Sequence, residues 1–384
     1  MRKNFFLIIL LAIGLSYPSG ICFSDWGATK RLSWNSGYSY DPTIAIDSNK
    51  NLHVVWWDFT PGNYEIYYKR STDGGSTWSA AKRITWTSGE SRWSAIAIDS
   101  NNNLHVVWHD NTPGNYEIYY KRSTDGGSTW SATKRITWTS GDSCWSAIAI
   151  DSNNNLHVVW HDNTPGNWEI YYKRSTDGGS TWSAEKRITW NSGWSYWPAI
   201  AIDSNNNLHV VWEDDTPGNW EIYYKKSTDG GSTWSATKRI TWNSGHSSWS
   251  AIAIDSNNNL HVVWEDSTPG NWEIYYKRST DGGSTWSAEK KITWNSGDSC
   301  WSAIAIDSNN NLHVVWEDST PGNYEIYYKR STDGGSTWSA AKRITWNSGN
   351  SHSPAIAIDS NNNLHVVWDD STPGNYEIYY KKKT

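Results

Sequence analysis

The chain has 384 residues, with 39 acidic and 33 basic side chains and a net charge of -6. That balance disfavours a nucleic-acid partner, which is normally met with a basic surface. With 31 Trp and 22 Tyr against 4 Phe and 1 Met, amphipathic rings have replaced aliphatic residues, which suits packed sheets and wet binding surfaces alike.

Arg2 and Lys3 precede an apolar run from Phe5 to Leu15, followed by Pro18, Ser19 and Gly20, the three-part layout of a secretory signal peptide. The run is too short to anchor the chain across a bilayer. Cleavage is predicted before Asp25, making 1–24 a signal peptide and 25–384 the mature domain. A lipoprotein site at Cys22 is disfavoured because Ile21 stands where a small residue is wanted. Without Arg2 and Lys3 the chain keeps 39 acidic against 31 basic residues. It is expected outside the cytoplasm, secreted or periplasmic, with no membrane insertion once the signal is removed.

From Asp47 onward a string of the form D-S-N-x-N-L-H-V-V-W returns at Asp99, Asp151, Asp203, Asp255, Asp307 and Asp359. The step is 52 residues (99 - 47 = 52), a period that calls for a repeat architecture. Within the second unit, strands are predicted at about Ala95 to Ile98, Leu104 to Trp108, Glu117 to Arg122 and Lys134 to Trp138, separated by Ser, Asn, Asp, Gly and Pro. Ala alternates with Ile in the first, as suits an innermost strand crowded at an axis. The third places Ile118 and Tyr120 on one face and Tyr119 on the other. No segment carries a helical period.

Four antiparallel strands repeated seven times predict an all-β, seven-bladed β-propeller. A solenoid is the alternative, and the chain ends argue against it. The last unit stops at Lys383 and Thr384, lacking a fourth strand, whereas Trp26, Ala28, Lys30, Arg31, Leu32 and Trp34 align with Trp78, Ala80, Lys82, Arg83, Ile84 and Trp86. The N-terminal strand is therefore expected to complete the C-terminal blade and leave no free edge.

Between the third and fourth strands stands S-T-D-G-G-S-T-W, six times, with its acid at Asp73, Asp125, Asp177, Asp229, Asp281 and Asp333. This resembles the Asp box, S-x-D-x-G-x-T-W, of sialidase-like (neuraminidase-type) β-propellers with bacterial neuraminidase repeats, and the likeness covers essentially the whole mature chain. The acid can accept N–H groups of its own turn, Gly admits positive φ, and Trp covers the hairpin. The resemblance implies a structural hairpin, remote from the pocket.

Sialidases also carry an arginine triad, a Tyr/Glu pair, an acid Asp and an early Arg-Ile-Pro motif. Here the nearest match is Arg83-Ile84-Thr85, a repeat element, and every mature arginine except Arg92 sits at one of two fixed repeat positions. A converting pocket needs different residues from different blades, so no catalytic residue is assigned. Paired acids such as Asp110 and Glu117 keep a sialidase-like exo-glycoside hydrolase open as an alternative, and a protein-binding scaffold as a further one.

Two loop types differ between units: the entry to each first strand (Glu90-Ser91-Arg92-Trp93 and counterparts) and the link from second to third strand (His109-Asp110-Asn111 and counterparts). Strand alternation brings both to one face of the disc, opposite the Asp boxes. On that face the candidate ligand-binding residues are Trp93, Trp145, Trp197, Trp249 and Trp301, the acids Asp110, Asp162, Asp214, Asp266 and Asp318, and the aromatics Tyr116, Trp168, Trp220, Trp272 and Tyr324. An aromatic plate beside hydrogen-bonding acids suits a sugar ring. The reading is a multivalent, lectin-like, non-catalytic carbohydrate-binding protein with equivalent sites, its partners glycans or cell-surface polysaccharide.

No metal or cofactor is expected. The D-x-N-x-N spacing at Asp99, Asn101 and Asn103 lacks the Gly and Glu of a calcium loop, and His105 and its counterparts, without a second ligand nearby, read as partly exposed strand histidines. Cys144 and Cys300, three units apart, are expected beyond disulfide reach, as free thiols or intermolecular bridges.

Overall fold

The computed structural model describes residues 26–60 and 62–384; the signal segment and Cys22 lie outside the described residues. Seven four-stranded antiparallel sheets follow one another around a ring. In the second blade the strands are Ser91–Ile98, Leu104–Asp110, Glu117–Ser123 and Lys134–Arg135. The inner strand begins earlier than its Ala/Ile pattern suggested, and the outer one is two residues long.

Ring closure follows the aligned ends. Lys30 pairs with Tyr380 and Arg31 with Tyr379, antiparallel, as Lys82 and Arg83 pair with Tyr68 and Tyr67 in the first blade. Leu32 N–H donates to Ile378 O at 2.6 Å, and Arg31 forms a 2.7 Å ion pair with Glu377. The inner strands of the first and last blades lie side by side, which excludes an open solenoid.

The core lies between blades. Every residue of the second strand is buried, because both faces of each sheet are covered. Leu104, Val106 and Trp108 occupy one face by the two-residue period and pack on Val55, Ile66, Tyr68 and Ile84 of the preceding blade. His105, from the opposite face, is also fully buried, correcting the expectation of partial exposure. Its Nδ1 meets the Tyr120 hydroxyl at 2.8 Å, and that hydroxyl donates to Gly178 O of the next blade. The D-x-N-x-N turn is self-contained: Asp99 accepts the N–H groups of Asn101 and Asn103, and Asn102 adopts a φ of 62°.

The Asp boxes form on one side of the disc. Asp125 accepts from Ser123 Oγ, Thr129 N–H and Thr129 Oγ1 at 2.6–2.8 Å, and these bonds, led by the Thr129 hydroxyl, hold its carboxyl at about 2. Trp130 of the same box meets Tyr68 of the preceding blade edge-on, with centroids 5.2 Å apart. The box is thus also a latch between neighbours.

Candidate functional site

On the other side of the disc each inner strand carries a bulge. Arg92 faces His109 and Ala95 faces Val107, leaving Trp93 and Ser94 opposite Trp108 alone. The extra residue turns its side chain towards the axis with a left-handed backbone, φ being 45–53° at Trp93, Trp145, Trp197, Trp249 and Trp301. Asp41 (47°) and Ser353 (50°) take the same position in the first and seventh blades. Such conformations cost a bulky residue roughly 1–3 kcal/mol and persist where surroundings enforce them, commonly at functional sites.

The enforcement comes from the preceding blade. His109 Nδ1 receives Trp145 N–H at 3.2 Å and His161 Nδ1 receives Trp197 N–H at 3.3 Å. Glu213, Glu265 and Glu317 receive the N–H groups of Trp249, Trp301 and Ser353 at 2.8–2.9 Å. Asp369 receives Asp41 N–H at 3.2 Å. Trp57 offers no acceptor at this position and meets the Trp93 ring instead, at 5.9 Å.

These side chains converge on one cavity of about 290 Å³ at the axis, lined by the five tryptophans with Asp41, Ser353 and the small residues beneath them. Trp197 stacks on Trp249 at 4.1 Å, Trp249 meets Trp301 at 3.9 Å, and Trp93 lies 5.0 Å from Trp145 and 5.9 Å from Trp301. The bed is aromatic through five blades and polar across the seam of the ring. Below it, the hydroxyls of Ser94, Ser146, Ser250 and Ser302 have no protein partner among the described residues. Sequence comparison spread the five tryptophans over equivalent sites; the structure gathers them into one asymmetric site.

Behind the bulges the supporting residues change character around the axis, with Trp57, His109 and His161 on one arc and Glu213, Glu265, Glu317 and Asp369 on the other. Burial keeps His109 uncharged, its pKa lowered to about 3, and lowers that of His161 as well. Burial pushes Glu265 up to about 8 and raises Glu213. At the seam, burial raises Asp41 to about 6, against hydrogen bonds from Ser353 Oγ (2.7 Å) and Trp57 Nε1 (2.9 Å). Asp369 is raised by burial and by Asp41 beside it. Glu265, held protonated at neutral pH, can donate as well as accept hydrogen bonds.

The predicted acids Asp110, Asp162, Asp214, Asp266 and Asp318 do not reach this surface. Each is fully buried, accepting the Ser hydroxyl of its own inner strand at 2.6–3.0 Å and the Thr N–H two residues on at 2.8–2.9 Å. The second strand continues two residues past its Trp, so the acid joins the sheet and leaves the loop. Tyr116, Trp168, Trp220, Trp272 and Tyr324 are half-buried at the head of the third strands, outside the axial bed. Tyr116 and Trp168 lean edge-on against His109 and His161, at 4.9 and 4.8 Å.

Among the described residues no arginine lines the cavity. Arg92 sits nearby, paired with Glu90 at 2.7 Å and stacked over Tyr64 at 4.1 Å. The arginines of the outer strands, such as Arg83, Arg187 and Arg239, are tied to buried Glu65, Glu169 and Glu221. Cys144 is buried and Cys300 half-buried, both free, and burial raises both thiols.

Sequence reasoning passed over one set of aromatics. The outer strands lead into Trp34, Trp86, Trp138, Trp190, Trp242, Trp294 and Trp346, all 62–67% exposed. In the sequence they stand only as strand ends, like Trp138 after Lys134.

No family model matches the chain. It is 28% identical over 259 residues to a xyloglucanase of Acetivibrio thermocellus, a match covering 56% of this chain and 28% of that protein. It is 24% identical over 264 residues to a sialidase of Bacteroides fragilis, covering 59% of this chain and 47% of the relative. The chain thus spans less than half the length of either. Among solved structures, an ulvan lyase superimposes with a TM-score of 0.67 at 10% identity, over 91% of this chain and 94% of its own, a likeness of fold. The chain is a sialidase- and xyloglucanase-like seven-bladed β-propeller of the bacterial neuraminidase repeat type, distantly related to both.

Proposed function

We propose that the chain is a secreted, lectin-like carbohydrate-binding protein without catalytic activity, whose axial cavity seats the apolar face of a sugar ring on the tryptophan bed. The observation that carries this reading is the convergence of Trp93, Trp145, Trp197, Trp249 and Trp301 on one cavity, with polar Asp41 and Ser353 across the seam. Indole planes meet the C–H faces of a pyranose, while Asp41 and Ser353 across the seam meet its polar rim. At about 290 Å³ the cavity lies at the small end of ligand sites, which run to about 300–1,000 Å³. The names of the relatives support a glycan partner, since each acts on a carbohydrate. A partner on a cell surface or in a polysaccharide is consistent with export.

One observation favours a hydrolase as the second reading. Asp41 and Asp369 are adjacent enclosed carboxyls with raised pKa values at the polar seam, the condition of a general acid. Against sialidase chemistry in particular stands the lining itself, in which the described residues include no arginine to clamp a substrate carboxylate. A glycan array and a panel of chromogenic glycosides, sialosides included, separate the readings. Binding without turnover supports the lectin; turnover lost in Asp41→Asn supports the hydrolase. Silence in both leaves a protein-binding scaffold.

A further inference from the structure

The seven exposed tryptophans of the rim are held in one geometry. Each lies under a lysine ammonium from the third strand of the next blade, 4.9–5.5 Å from the ring centroid. In six of the seven an arginine of its own outer strand lies 5.7–5.9 Å away. The lysine is itself fixed: Lys69 donates to Leu32 O, Lys225 to Ile188 O and Lys381 to Ile344 O, at 2.5–2.7 Å. Two cations pin six of the indoles and one pins Trp294, each across a blade junction, yet about two thirds of every ring's surface stays open to solvent. The outer strand pairs Lys82 with Tyr68 and Arg83 with Tyr67, and Thr87 N–H reaches Glu65 at the head of the third strand. Trp86 and its counterparts accordingly sit at the end of the disc that carries the axial cavity.

We propose that this circle is a second binding surface, a set of seven equivalent plates for an uncharged polysaccharide, independent of the axial site. An exposed, immobilised indole stacks on a pyranose ring with little ordering cost. The ligand is neutral because the neighbouring cations are already committed. The arginine faces a buried glutamate and the lysine a backbone carbonyl, and the chain as a whole is acidic. A lysine ammonium sits over every plate, which disfavours a second copy of the chain as occupant. A single plate binds weakly; a polymer engaging several gains avidity with no new contact.

Affinity electrophoresis of the full chain in gels containing hydroxyethylcellulose, a neutral β-glucan, or carboxymethylcellulose, its anionic counterpart, tests this. The expected result is retardation by the neutral polymer, weakened at least about tenfold in the triple variant Trp86→Ala, Trp190→Ala, Trp294→Ala. Tyr at the same three positions should restore part of it. Melting curves of the triple variant, whose changes are all at the surface, should match the parent. Several outcomes overturn the proposal: no retardation of the parent chain, equal retardation of the triple variant, or stronger retardation by the anionic polymer. Self-association in sedimentation velocity that the triple variant abolishes would make the circle a contact between copies, and overturns it also.

Discussion

The carboxyl of Glu265 receives the backbone N–H of Trp301 at 2.8 Å across a blade junction. This bond steadies a tryptophan in a left-handed conformation with its ring at the axis, and it does so with an acid that burial has raised to about 8. Between the ordinary carboxyl value and pH 8 the folded chain keeps a proton that the unfolded chain releases, so this group makes stability fall as pH rises through that window. Glu265→Gln keeps an acceptor for Trp301 and removes the titration. Thermal melts should show variant and parent nearly equal at pH 4 and the variant ahead at pH 9, by on the order of 2 kcal/mol or more. A parallel pair of curves contradicts the assignment.

His109 holds the same structural position two junctions from Glu213 and carries the opposite sign. Burial lowers its pKa to about 3, so the unfolded chain takes up a proton that the folded chain refuses. Stability from this group is complete above about pH 6.5 and is lost as pH falls towards 3. Replacing His109 with Gln, which still offers an oxygen to Trp145 N–H, should flatten the acid limb of a stability-versus-pH profile measured in urea. An unchanged acid limb contradicts this.

Gly127 of an Asp box stands at φ 85°, and a Cβ there would lie 2.2 Å from the ring of Tyr68 on the preceding blade. Gly127→Ala should cost about 2–5 kcal/mol, combining a left-handed backbone penalty with overpacking of the junction. Gly114, at φ 109°, faces open space, so Gly114→Ala pays only the backbone part. Urea denaturation of both variants separates the two contributions.

Asp41→Asn and Asp369→Asn remove the paired acids of the seam while keeping their shape. If the cavity only binds, both variants retain glycan affinity within about tenfold, a change of about 1.4 kcal/mol, and neither parent nor variant releases aglycone from chromogenic glycosides. Any turnover by the parent that these variants abolish establishes hydrolysis.

The blade count, the closure of Lys30 and Arg31 on Tyr380 and Tyr379, and the role of the Asp boxes were all legible in the chain, because a strict period shows where each unit starts and which piece is missing. The site was legible only in part. Trp93 and its counterparts stood out by position, but nothing in one unit says that a bulge turns them to a common axis, where five rings share one space. Asp110 looked like a loop acid because Asn111 and Pro113 follow it, yet its strand runs on and buries it against Ser91. The residues that hold the bulges, His109 and Glu265 among them, lay within the variable stretches, where only the inward side of a strand distinguishes them from neighbours. Trp86 and its equivalents hardly vary in context, and invariance among repeats hid an exposure that only packing reveals.

The central claim is a single axial sugar site built from converging tryptophans. Titration calorimetry with a soluble oligosaccharide selected on the glycan array tests it most directly, using the parent chain and Trp249→Ala. The account predicts one site per chain and a loss of at least about 30-fold, roughly 2 kcal/mol, in the variant. Undiminished binding of that oligosaccharide when the Trp249 ring is gone would contradict it.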